Sequence, residues 1–101
     1  MKVFVVHIYD GAERLHDYYV HQTVEGATRK AASDVVAGRF EDLDPDDFAA
    51  EVARVIAAVY KEPDVGRYVV RCDAWHAQID EMYVLPEPEE SEQRLGIGES
   101  R

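Results

Sequence analysis

Residues 3–9 are β-branched or aromatic apart from His7 and stop at Asp10-Gly11, so they predict a first strand running into a turn. Residues 16–22, with Tyr18, Tyr19 and Val20, predict its antiparallel partner. Parity constrains the connection. A two-residue loop at Asp10-Gly11 would set Phe4 opposite Asp17 and Ile8 opposite Glu13, bringing an apolar face against charges. A loop of roughly five to seven residues instead pairs Phe4, Val6 and Ile8 with a Tyr18 and Val20 face, and leaves His7, Tyr9, Tyr19 and His21 on the other.

Beyond Gln22 the period changes to that of a helix. Thr23 is placed to cap, Glu25 sits in the first turn where its charge suits the dipole, and Val24, Ala27, Ala31 and Val35 recur at helical spacing up to Gly38. A second helix starts at Asp44-Pro45, where the aspartate caps and the proline takes a position that needs no amide hydrogen. Its apolar stripe is Phe48, Val52, Val55, Ile56 and Val59, and it ends before Pro63. Residues 68–77 alternate again, with Tyr68, Val70, Cys72 and Ala74 on one face and Val69, Arg71, Asp73 and Trp75 on the other. Residues 82–85 predict a short further strand ending at Pro86.

The expected fold is therefore α+β: an antiparallel sheet of three to four strands with two helices on one face, in the order β-β-α-α-β(-β). Two successive helices between strands exclude a doubly wound parallel sheet. The domain is expected to span residues 1–86. Residues 87–101, rich in Pro, Glu, Ser and Gln, are expected to form an acidic flexible tail.

Composition narrows the function classes. Of 101 residues, 21 are acidic and 11 are Lys or Arg, a net charge of −10 whose field repels phosphate backbones and anionic lipid. The basic residues never form a run. Direct binding to nucleic acid or membrane is not expected, and a basic protein or a nucleic-acid-binding complex is the natural partner. Cys72 is the only cysteine, which excludes an internal disulfide. The N-terminal apolar stretch is too short for a signal sequence, and the expected location is cytoplasmic.

Four groups of residues are candidates for chemistry. The segment Glu41, Asp42, Asp44, Asp46, Asp47 and Glu51 contains no Lys or Arg, and carboxylates at this density imitate the phosphate spacing of a nucleic acid. Helix capping alone also accounts for Asp44, Asp46 and Asp47. His7, His16, His21 and His76 with Cys72 and Asp73 offer zinc-binding groups, and a small metal-dependent or acid/base enzyme is the alternative they support. Their spacing matches no metal motif, so no cofactor is expected. Cys72, alternating with Val70, reads as a core thiol rather than a nucleophile. Finally, helices on one face only leave the other sheet face open, where Tyr9, Tyr19, His21 and Trp75 are expected to be exposed. Such a face suits another protein or a second copy of the chain, as in a homodimeric accessory domain.

The stretch Tyr18-Tyr19-Val20-His21-Gln22-Thr23-Val24-Glu25-Gly26-Ala27, a strand running into a Thr-capped helix, resembles small acidic proteins of phages and mobile elements, including those of the anti-CRISPR type. With the alanines that follow it in the helix, the resemblance covers about twenty residues and carries over no site residue. It implies a mode of action: a phage-encoded inhibitor whose negative surface blocks a host nucleic-acid-binding complex. The contact residues expected on this reading are Asp42, Asp44, Asp46, Asp47 and Glu51, with Tyr19, His21 and Trp75 on the sheet.

Overall fold

Strand β1 (Lys2–Tyr9) is the apolar run at the N-terminus, and its partner β2 (Leu15–His21) follows a five-residue loop. The computed structural model describes residues 1–84. The loop is closed by Asp10, whose Oδ1 accepts from the backbone N–H groups of Ala12 at 2.8 Å and Arg14 at 3.0 Å. These hydrogen bonds, the Arg14 amide first, lower the Asp10 carboxyl below its usual range. Glu13, not Gly11, takes the left-handed conformation with φ 63°.

Helix α1 (Val24–Arg39) begins at Thr23, whose Oγ1 accepts from the Gly26 amide at 3.0 Å. Helix α2 (Pro45–Ala57) begins at Asp44, whose Oδ1 accepts from the Asp47 amide at 2.8 Å, with Pro45 in the first turn. Both starts were legible because capping is local. Three further strands follow among the described residues: β3 (Tyr60–Glu62), β4 (Arg67–Cys72) and β5 (Trp75–Tyr83).

The sheet is fully antiparallel with strand order β2-β1-β5-β4-β3. The two helices carry the chain from one edge, β2, to the other, β3. Among the described residues, only one face is covered. Phe4, Val6, Ile8, Val70, Cys72, Ala77 and Ile79 from the sheet meet Ala27, Ala31, Ala32, Val35, Val36 and Val55 from the helices in a single buried cluster. The alanines matter because a thin helix face lets α1 lie close to the strands. Among the described residues, no helix is long and apolar enough to cross a membrane.

The α+β class and the two helices on one face agree with expectation. The sheet differs, having five strands where three to four were expected. Residues 60–62 were missed because three residues, two of them charged, show no alternation. The expected single strand over 68–77 is a hairpin, β4–β5, turning at Asp73-Ala74 with Cys72 paired to Trp75. Asp73 takes φ 54°, in the left-handed region that glycine usually fills and aspartate tolerates. The expected tail, residues 87–101, lies outside the described residues.

A second correction concerns β2. Its loop has the expected length, yet a β-bulge between Ile8 and Tyr9 shifts the register: Tyr9 pairs with Leu15, whereas Ile8 pairs with Asp17, Val6 with Tyr19 and Phe4 with His21. His16 is the extra residue. Because side chains alternate with period two, one inserted residue moves every later one to the opposite face. Tyr19 and His21 therefore point to the helix side, and Tyr18 and Val20 to the open side. Trp75 changes face for a related reason, since pairing across a two-residue turn keeps it level with buried Cys72. Of the four residues expected on the open face, only Tyr9 lies there.

Candidate functional site

The bulge builds a cleft. By turning His16 and Asp17 toward α1, it opens a recess of about 390 Å³ between the β2 edge and the helix, walled by Trp75 and bordered by Asp17, Lys30, Asp34 and Glu41. Three carboxylates face one ammonium group there. Asp34 is the best connected: it accepts from the Tyr19 hydroxyl at 3.1 Å and lies 3.1 Å from Lys30 Nζ, one helical turn away. Lys30 also sits 5.4 Å from the Tyr19 ring centroid. Burial, then the charge of Asp34, raises the Tyr19 phenol well above the ordinary tyrosine range.

Trp75 is the rigid wall. Its indole lies directly beneath Gly38, so close that a Cβ on that residue would collide with the ring. His16 meets it edge-on, with centroids 5.2 Å apart. At the rim, Arg39 pairs with Asp73 and lies 4.8 Å from the Phe40 ring centroid.

The acidic segment continues from this cleft. Glu41 belongs to both, and Asp42, Asp44, Asp46 and Asp47 follow it, all exposed, around the start of α2. Asp44 is occupied in part by capping. Glu51 is ion-paired with Arg54, so its charge is neutralised within the chain. Among the described residues, Asp17, Glu41, Asp42, Asp46 and Asp47 have no cation within salt-bridge distance, so their field reaches solvent. Of the sheet residues expected to join this set, Trp75 and Tyr19 are half-buried beside or within the cleft, and His21 lies under the start of α1 near Gly26.

The other candidates separate in space. His7 and His21, expected to share a face, lie on opposite faces because of the bulge, and His16 and His76 are divided in the same way. Among the described residues, no group of three His, Cys, Asp or Glu side chains is arranged to hold a metal ion. Cys72 is buried, 3% exposed, and burial with the neighbouring Asp73 charge pushes its thiol up, which suppresses the thiolate a nucleophile requires. A second, apolar groove of about 320 Å³ runs between α1 and α2, bordered by Val24, Ile56, Val59 and Tyr68.

Asp17, Lys30 and Asp34 were not singled out from sequence. The spacing of Lys30 and Asp34 marks an ordinary helix pair, and nothing in the residue order shows that Asp17 would turn toward it. No family model, curated protein or solved structure matches the chain.

Proposed function

We propose that this chain is a small protein-binding module that engages a basic partner through the carboxylate belt running from the cleft around the start of α2. The observation that carries this reading is that Glu41, which borders the recess with Asp17 and Asp34, is followed in the chain by the exposed Asp42, Asp44, Asp46 and Asp47. Carboxylates held on a capped helix and a sheet edge, of which Asp17, Glu41, Asp42, Asp46 and Asp47 have no ion-pair partner among the described residues, need little ordering on binding. They steer a positively charged surface toward contact and leave the Trp75 indole as a flat wall for a guanidinium or ammonium group that enters the recess.

The narrower reading is a phage-encoded inhibitor of anti-CRISPR type acting in the cytoplasm, in which the belt occupies a host complex's nucleic-acid-binding surface and excludes the nucleic acid. It rests on the resemblance in residues 18–27 and on the net charge of −10.

The test is affinity capture from a bacterial lysate with the full chain and with the double variant Asp46→Lys, Asp47→Lys. The expected result is a basic protein retained by the wild type, released as salt rises above roughly 0.2 M, and absent with the variant. Identical retention by both proteins would remove the belt as the contact surface.

A further inference from the structure

Among the described residues, three cationic side chains have no ion-pair partner: Arg29, Lys61 and Arg71. Two of the three stand beside one apolar feature. Arg29 borders the groove of about 320 Å³ between α1 and α2, and Lys61 Nζ lies 5.4 Å from the ring centroid of Tyr68, the β4 residue in the groove wall. In a chain with 21 acids, cations left without carboxylates around an apolar recess favour an occupant that is acidic and apolar together.

The groove is lined to receive aliphatic side chains. Val24 and Thr28 come from the first turns of α1, Ile56 and Val59 from the region where α2 ends, and Ile56 is left 36% exposed. Glu25 is the single carboxylate on this border, against Arg29.

The chain carries a segment of the required kind. Residues 85–101 contain Glu87, Glu89, Glu90 and Glu92, followed by Leu95 and Ile97. Their starting point is fixed, because the Val84 amide donates to the Met1 carbonyl at 2.7 Å beyond the end of β5. This is also the end of the sheet where α1 begins: Glu81 is level with Phe4, and Phe4 with His21, two residues before the Thr23 cap. Tyr68 is level with Ile79, five residues before Val84, so about 17 Å along the strand and one strand spacing of about 4.8 Å separate the groove wall from Val84. Leu95 is eleven residues past Val84, a reach of up to roughly 36 Å. The distance is spanned with length to spare. A tether this short also gives the segment an effective concentration on the order of millimolar at the groove, an advantage that no separate partner has.

We propose that residues 85–101 dock on the helix side, with Leu95 and Ile97 in the groove between α1 and α2 and the carboxylates of the segment beside Arg29 and Lys61. The groove lies where α2 ends and the carboxylate belt where it starts, about 20 Å apart for a helix of 13 residues, so the docked segment leaves the belt exposed. It closes the groove to other acidic and apolar segments.

Methyl-resolved nuclear magnetic resonance of the full chain tests this. The expected result is nuclear Overhauser contacts from the methyl groups of Leu95 or Ile97 to those of Val24, Ile56 or Val59, with relative intensities unchanged on dilution. Leu95→Asp with Ile97→Asp is expected to abolish them and to shift the groove methyl signals, while signals of the buried cluster stay in place. Arg29→Glu with Lys61→Glu is expected to lower the docked fraction by roughly threefold or more, and Glu89→Lys, Glu90→Lys and Glu92→Lys added to that variant to recover it. Arg29 and Lys61 are exposed, and circular dichroism confirms that the variants fold. Absence of the contacts in the full chain would overturn the proposal, as would contacts indifferent to the reversal of Arg29 and Lys61. Contacts that fade on dilution would also overturn it, because they would come from the segment of a second copy.

Discussion

Gly38 and Trp75 give the sharpest test of the packing that shapes the cleft. Gly38 lies in the last turn of α1, where alanine would ordinarily be favoured by about 0.5–1 kcal/mol. Here the added methyl would collide with the six-membered ring of the Trp75 indole, a rigid group held by His16 on one side and the sheet on the other. Forcing a methyl into such a contact costs about 1–3 kcal/mol, which exceeds the propensity gain. Gly38→Ala is therefore expected to lose about 0.5–2 kcal/mol and to lower Tm by about 4–8 °C for each kcal/mol lost. Replacing Trp75 by Ala removes the obstacle, and in that background Gly38→Ala is expected to stabilise. Thermal and urea denaturation of the four proteins in the cycle give the coupling directly, expected at about 1–3 kcal/mol. Stabilisation by Gly38→Ala in both backgrounds would refute the close approach of α1 to the indole, and with it the shape of the recess.

Two further outcomes follow from the same geometry. In an ultraviolet titration, Tyr19 is expected to ionise above the ordinary tyrosine range, and Asp34→Asn to bring it down. Because its folded value lies above the unfolded one, the stability it contributes is whole below about pH 10 and is lost as pH rises further. Ionisation of Tyr19 within the ordinary tyrosine range would contradict its burial against Asp34. Cys72 is expected to react slowly with a thiol reagent in the native protein and quickly in denaturant, so prompt native labelling would mean that the thiol is not in the core.

The candidate site was legible in part. The acidic segment is a feature of composition, and its position at the start of α2 follows from Asp44 and Pro45, whose roles depend only on near neighbours. Its extension into a recess depends on Asp17 and Asp34, which are far apart in the chain and meet only because β2 carries an extra residue. Tyr19, His21 and Trp75 were singled out for an exposed aromatic face, yet all three are on the helix side. The rings that do occupy the open face, Tyr18, His7, Tyr9 and His76, were individually visible in the sequence but had been divided differently between the faces.

What the residue order determined is what short-range chemistry can determine: the Thr23 and Asp44 caps, the starts of both helices, the first strand, and the covering of one sheet face by two successive helices. What only the tertiary structure decided is parity. A bulge at His16 and a two-residue turn at Asp73-Ala74 are each small in sequence and carry no glycine or asparagine to announce them. In a sheet, where neighbours alternate between interior and solvent, each moves a set of side chains across the boundary. Long-range pairing with β1 and β5 selects those positions, because it buries Phe4, Val6, Ile8, Ala77 and Ile79 together, and no local preference of β2 could have shown which of its faces would accompany them.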